Sequence, residues 1–354
     1  MVEPKGQQVG TNALPPDRAG VSAGTAGATM SAIVGPSYGS SEVLRHEVVD
    51  RPVVGDGEVL IRVRAASVCS GDVHLLTGKP YLIRLGFGLR RPKYRIPGQD
   101  VAGVVVAVGD KVTGFRIGDE VYGKTSGGGF AEYVCVSART LAPKPATLTF
   151  EQAAAVPDSG MTALQGLREV GGLRPGGSVL VNGASGGVGT FAVQIAKALG
   201  GEVTAVCSTR HLAAVRDLGA DHVIDYTAED FTEVDGEYDI IFDLVGNRSL
   251  RECRRVLTPG GVFVSSAGSP GGNWLSPVLW IGKVVLANLF ASQTFAPLLM
   301  RPTRADLEFL TGLAENATLR PLIERRYPLA ETAAAFAHIA DGHAQGKTVI
   351  LACS

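Results

Sequence analysis

Cysteine is scarce: 354 residues carry five, Cys69, Cys135, Cys207, Cys253 and Cys353, with no two close in sequence. An odd, scattered set excludes a disulfide framework and a cysteine-rich metal lobe, and is expected of a reducing cytoplasm. Neither sign of charge prevails, since 33 Lys and Arg oppose 34 Asp and Glu for a net charge of −1. Such a balance gives no overall basic field to gather nucleic acid or anionic lipid, and neither is expected as a partner. Long apolar runs are also lacking. The greasiest region, residues 274–300, is broken by Pro277, Lys283, Asn288 and Gln293, so no membrane-spanning helix is expected. Residues 1–29 lack the charged start and apolar centre of a signal peptide, and read as a Gly-, Ala- and Pro-rich extension before an ordered chain from Met30.

Glycine is abundant, at 46 residues, and it punctuates two different textures. Up to about residue 150 the chain is β-rich. Short β-branched runs at residues 59–65, 101–108, 118–123 and 130–136 follow Gly turns, which predicts a small barrel or partly open β-domain. From residue 151 helix and strand alternate. An Ala-rich stretch over 151–167 is helix-compatible apart from Pro157 and Gly160, and strand 178–182, helix 188–199, strand 202–207 and helix 211–218 are expected after it. Further short strands are expected at 222–224, 239–244 and 261–265. Alternation of this kind predicts right-handed crossovers and a parallel, doubly wound α/β sheet. An amphipathic helix over 330–340 and a strand over 347–351 close the chain.

The strongest motif lies where the strand 178–182 meets Gly183-Ala184-Ser185-Gly186-Gly187-Val188-Gly189 and an amphipathic helix. Small residues there permit a tight turn. The amides of Ser185, Gly186, Gly187 and Val188 can then approach a dinucleotide pyrophosphate at the positive end of the helix. Strand, turn, helix and second strand fall within one unit of about thirty residues, as dinucleotide binding requires. The second strand ends in Ser208-Thr209-Arg210, without the Asp or Glu that accepts from an NAD ribose. Arg210 can instead pair with a 2′-phosphate, so NADPH is the expected cofactor. The plainer alternative makes Arg210 a solvated residue at a helix start.

The motifs 98–105, 112–121 with Gly118-Asp119, 128–133, 161–164, 183–189, 218–221, 242–246 and 346–350, in this order, resemble the medium-chain dehydrogenase/reductase superfamily. Within it they resemble the zinc-independent quinone oxidoreductase-like branch, over residues 30–354. The resemblance implies a GroES-like catalytic domain from both chain ends (30–150 and 303–354) around an inserted Rossmann domain (151–302). It implies that Ser208, Arg210 and Tyr226 hold the 2′-phosphate, that Val245 and Gly246 lie by the adenine ribose, and that Ala267 and Gly268 lie by the nicotinamide. Lys347 matches a cofactor-proximal lysine, against the alternative of a plain edge-strand residue. A homodimer through the Rossmann sheet edge is implied as well.

Zinc members of the superfamily hold their metal with Cys, His and a third Cys, Asp or Glu. Here Cys69 and Asp158 fall at ligand-like positions, but Gln99-Asp100 replaces the His-Glu pair, and an amide is a poor zinc donor. No catalytic metal is therefore expected. A metal-free nicotinamide enzyme suits an acceptor already electron-poor at carbon, namely a quinone or an α,β-unsaturated carbonyl. Candidates to return the proton are His74, Tyr81 and Tyr122, with His74 equally able to be a pocket wall. An apolar, aromatic-sized pocket is expected from Tyr81, Leu82, Ile83, Leu85, Phe87 and Leu89 with Trp274, Leu275, Trp280 and Phe290. The rival readings are a zinc alcohol dehydrogenase and a non-catalytic NADPH-binding scaffold.

Overall fold

A computed structural model describes residues 27–234, 236–266, 282–284, 286–288, 292–342 and 344–352. Ala267, Gly268, Trp274, Leu275, Trp280, Phe290 and Cys353 lie outside the described residues. The chain starts with an antiparallel pair, β1 (Thr29–Val34) on β2 (Arg45–Asp50). Next come β3 (Glu58–Val68), β4 (Asp100–Val108), β5 (Glu120–Lys124), β6 (Tyr133–Ser137) and β7 (Leu141–Pro143). The parallel strands follow: β8 (Ser178–Asn182), β9 (Glu202–Cys207), β10 (His222–Asp225), β11 (Tyr238–Asp243), β12 (Leu257–Ser265) and β13 (Thr294–Pro297). The chain then returns with β14 (Ile323–Pro328) and β15 (Lys347–Leu351).

Two sheets result. One runs β14-β15-β3-β4-β5-β7 with β6 also on β3, so both chain ends build it, as the GroES-like expectation required. The other runs β10-β9-β8-β11-β12-β13, all parallel, which is the doubly wound dinucleotide-binding order. A shared core joins them: Ala65, Ala102 and Tyr122 of the first belong to the same buried cluster as Val179, Phe191 and Phe242 of the second.

Three sequence expectations need correction. The helix-compatible stretch 151–167 is broken into Phe150–Ala154, Pro157–Leu164 and a π-helical turn Gln165–Val170. Pro157 opens the second piece, where its missing N–H is harmless. The π turn brings Gly166 against Phe242, whose ring would lie 2.6 Å from an added Cβ. Residues 69–77 form a helix, Ser70–Thr77, which alternation did not reveal; Asp72 holds its start by accepting from the Cys69 amide at 3.0 Å. Finally, Lys347 is not on an edge strand, because β15 is paired on both sides.

Candidate active site

The glycine turn sits at the carboxyl end of β8 and opens the helix Gly187–Ala198. Gly183 has φ +91°, where a side chain is strained, and its amide donates to Val206 O at 3.2 Å. An added Cβ at Gly189 would fall 2.1 Å from Gly183 O, so only glycine lets the helix lie this close to the strand. Gly186, the residue just before the helix, differs: a Cβ there would meet only Gly183 O, at 3.4 Å. The space above Gly186 is open, and the first-turn amides of Gly187, Val188 and Gly189 have no intrahelical acceptor. Absence of side chain, unsatisfied donors and the positive helix end fit a diphosphate. Gly346 N donates to Ser185 O at 2.9 Å, and the Lys347 chain lies 3.5 Å from the Cβ position of Gly187. The returning strand β15 thus closes one side of the turn.

Parallel pairing puts the ends of β8, β9, β10 and β11 on one rim of the sheet. Ser208 and the exposed Arg210 follow β9, and Tyr226, 52% exposed, follows β10 with its amide on Cys207 O at 3.1 Å. Val245 and Gly246 follow β11, their amides both held by Asp243 Oδ1, at 3.1 and 3.0 Å. The described cofactor candidates other than Lys347, which comes from β15 of the first sheet, therefore stand on the carboxyl rim where doubly wound sheets bind ligands.

A charged cluster ties the first sheet to the helix Pro157–Leu164; motif reading named Asp100, Asp158 and Lys347 singly but missed Lys124 and the grouping. Lys124 Nζ is 2.5 Å from Asp158 Oδ1 and 3.8 Å from Asp100 Oδ1. Lys347 Nζ donates to Ser159 Oγ at 3.0 Å and lies 3.8 Å from Asp100 Oδ2. Asp100 also accepts from the Asp158 amide and from Ser67 Oγ, each at 3.2 Å. Burial opposes charge on Lys124, but Asp158 and Asp100 outweigh it and raise the lysine's affinity for its proton. Burial likewise pushes Asp158 up, and Lys124 with Lys347 brings it below the usual carboxylate range. A lone lysine at the end of a short strand carries no sequence signal; only the sheet pairing of Asp100 with Lys124 brings the two together.

The donor chemistry here does not fit zinc. Cys69 Sγ donates to Asp72 Oδ2 at 3.3 Å, and burial, aided by Asp158 and Asp72, pushes the thiol well above its ordinary range. Asp158 is already engaged by an ammonium group, and Gln99 stands in the histidine position. Among the described residues no cluster of three His, Cys, Asp or Glu is arranged to hold a metal.

A small, mainly apolar pocket adjoins this cluster. Leu75, Leu76, Phe87 and Tyr94 line it, with Gln99, Ser126, Asp72, Lys93 and Arg95 among its polar groups. Gln99 Nε2 lies 3.9 Å from the Cβ position of Gly71, beside the Cys69 sulfur. One Asp72 carboxylate oxygen is buried without a partner, the other accepting from the Cys69 amide and thiol at 3.0 and 3.3 Å.

The three expected proton donors are not brought together. His74 is exposed, its Nδ1 3.0 Å from Lys79 O. Tyr81 stacks under the Arg84 guanidinium, 4.6 Å from its ring centre. Tyr122 is fully buried, its hydroxyl donating to Leu307 O at 2.7 Å and paired with Thr311 at 3.0 Å. Burial and that carbonyl bond make it an internal tie that no substrate reaches, so its expected role is withdrawn. Of the expected pocket wall, Phe87 lines the pocket, whereas Tyr81, Leu82, Ile83, Leu85 and Leu89 do not.

Comparison with known proteins agrees with this architecture. Residues 55–146 match the family model for an alcohol dehydrogenase GroES-like domain, and residues 218–350 match one for a zinc-binding dehydrogenase. The chain is 32% identical to a chloroplast envelope quinone oxidoreductase homolog of Arabidopsis thaliana, over 92% of this chain and 99% of that one. It is 33% identical to a chloroplastic NADPH-dependent alkenal/one oxidoreductase of the same plant, over 91% of this chain and 79% of the relative. Among solved structures, the quinone oxidoreductase of Coxiella burnetii superposes with a TM-score of 0.80 at 30% identity, covering 92% and 99% of the two chains.

Proposed function

The chain belongs to the quinone oxidoreductase-like branch of the medium-chain dehydrogenase/reductase superfamily, and from that premise we propose that it uses NADPH to reduce a quinone or an α,β-unsaturated carbonyl without a catalytic metal. As an oxidoreductase of this branch it uses a nicotinamide dinucleotide. The observation that carries the finer reading is the Lys124–Asp158 pair, at 2.5 Å, standing where zinc relatives place metal chemistry. A zinc alcohol dehydrogenase would need Asp158 and an ionised Cys69 free for the metal, and neither is free.

Bound cofactor supplies the hydride; the protein supplies binding, orientation and charge stabilisation. The turn from Ser185 to Val188 holds the diphosphate, Lys347 closes beside it, and Ser208, Arg210 and Tyr226 receive the 2′-phosphate. Val245 and Gly246 border the adenine ribose. Phe87 and Tyr94 orient a flat acceptor and keep water from it. As charge develops on the acceptor's carbonyl oxygen, the Gln99 side-chain amide donates to it, with the Lys124 cation nearby. Gln99 is well suited: its amide makes no hydrogen bond to a described residue and it lines the pocket. His74 and Tyr81 remain candidates for proton return alongside solvent. The four described cysteines are free thiols, in keeping with a reducing compartment. The protein forms a homodimer through an edge of the Rossmann sheet.

The test is a panel of acceptors followed by loss of NADPH absorbance. Quinones and enones should be reduced and simple aldehydes left untouched. Turnover of simple aldehydes or alcohols, lost when zinc is removed, would reverse the reading. Cofactor binding without turnover of any acceptor would mark a scaffold instead.

A further inference from the structure

Overall neutrality hides one strongly one-sided stretch. Between Asp72 and Asp100 there is no acidic residue, yet there are six basic ones, Lys79, Arg84, Arg90, Arg91, Lys93 and Arg95. Arg84 is used internally, held between the rings of Tyr38 and Tyr81 at 4.4 and 4.6 Å and donating to Gly78 O at 3.0 Å. The other five are exposed, and none pairs with a carboxylate among the described residues. The same segment concentrates exposed apolar side chains: Leu82 at 39%, Leu85 at 73%, Phe87 at 38%, Leu89 at 67% and Tyr94 at 38%.

This protrusion is built, not frayed. Tyr38 Oη donates to Gly88 O at 2.5 Å, Lys93 N to Phe87 O at 2.7 Å and Gly35 N to Arg95 O at 2.7 Å. Gly88, at φ +112°, turns the chain so tightly that a Cβ would strike Arg91 O. The fold therefore holds two leucines out into solvent within a segment whose five exposed cations pair with no carboxylate among the described residues.

We propose that this segment docks the protein peripherally on an anionic lipid surface. Leu85 and Leu89 enter the headgroup layer, while Arg90, Arg91 and Lys93 pair with lipid phosphates. Charge complementarity selects this occupant. A second copy would bring an equally cationic face and repel it. An acidic protein could match the charge, but projecting leucines flanked by arginines match the layered chemistry of a bilayer surface, apolar within and anionic at the rim. Phe87, Lys93, Tyr94 and Arg95 also line the pocket described above, so docking turns its mouth toward the lipid. If the pocket is the acceptor site, which rests on the reading under Proposed function, a lipid-dissolved acceptor enters without crossing water.

The test is flotation of the purified full chain with vesicles of phosphatidylcholine, alone or with about a third phosphatidylglycerol. Binding is expected to the anionic vesicles only, and to fall steeply with added salt. Arg90→Gln/Arg91→Gln should weaken it at least about tenfold, taking about fivefold per basic side chain. Leu85→Ser/Leu89→Ser should weaken it similarly, with both variants melting as the parent does because these side chains are exposed. No association with anionic vesicles at low salt overturns the proposal. So does association that survives in both variants, which would place the contact elsewhere. A failed acceptor panel with intact vesicle binding would sink the enzymatic reading and leave the docking surface standing.

Discussion

The proposed preference for NADPH turns on one side chain, Arg210. It stands at the end of β9 where an acidic residue would select NADH. A guanidinium–phosphate bond contributes about 1.5–3 kcal/mol. Arg210→Ala should therefore raise the KM for NADPH about tenfold to a hundredfold and leave that for NADH unchanged; equal loss for both would assign Arg210 a structural role. Gln99→Leu should lower kcat about a hundredfold with little change in KM, since the donated bond matters mainly as charge develops. Lys124 carries both stability and electrostatics. Replacing it by Met strands Asp158 in the interior, and should cost about 3–5 kcal/mol in denaturant unfolding. Adding Asp158→Leu should restore most of that loss, because the pair is then replaced by apolar groups. At this scale the sequence exposes residue types, such as Arg210 after β9 and Gln99 in place of a histidine, on which the proposed roles rest. It was opaque for Lys124, whose partners lie 24 and 34 residues away.

The glycine turn separates two jobs within one element. Gly189→Ala forces a Cβ against Gly183 O and should destabilise the fold outright. Gly186→Ala meets no clash and lies at ordinary φ, so it should leave the melting temperature nearly unchanged while weakening NADPH binding at least about tenfold. The helix Arg304–Glu315 gives a second element-scale case. Asp306, 4% exposed, accepts from Gln165 Nε2, Thr303 Oγ1 and Arg168 at 2.8, 2.8 and 2.6 Å. Burial alone would raise its pKa, but those donors hold it below the usual range. A depressed folded pKa stabilises the protein above the unfolded value and loses that contribution as pH falls through the folded one. Acid unfolding below about pH 4 should therefore be shallower in Asp306→Asn, which should already be less stable at neutral pH by about 1.5–3 kcal/mol. Elements with a clean period, such as β8, β9 and β15, were legible to the residue. The helix Ser70–Thr77 was not, since its sequence has little amphipathic pattern and its start is fixed by the Cys69–Asp72 contact. The break at Pro157 has a local signal in the proline itself, whereas the π turn after it, where Gly166 packs against Phe242, has none.

In the whole molecule, two large sheets meet over a shared apolar core and a buried ion network, with the glycine turn and the apolar pocket, to which cofactor and acceptor are assigned in our proposal, both adjoining that network. The order of motifs was enough to foresee this two-sheet plan. It was silent on what fills the metal position, because that depends on Lys124 arriving from β5, Asp158 from a helix start and Lys347 from the last strand. Exhaustive dialysis against a chelator should leave the quinone reduction rate within about twofold, as expected when charge is stabilised by amide and ammonium groups and not by a Lewis acid. The most direct test of the central claim is calorimetric titration of the folded protein with NADPH and NADH. One NADPH should bind per chain at micromolar concentration, at least about tenfold more tightly than NADH. Failure of either nucleotide to bind at millimolar concentration would contradict the account.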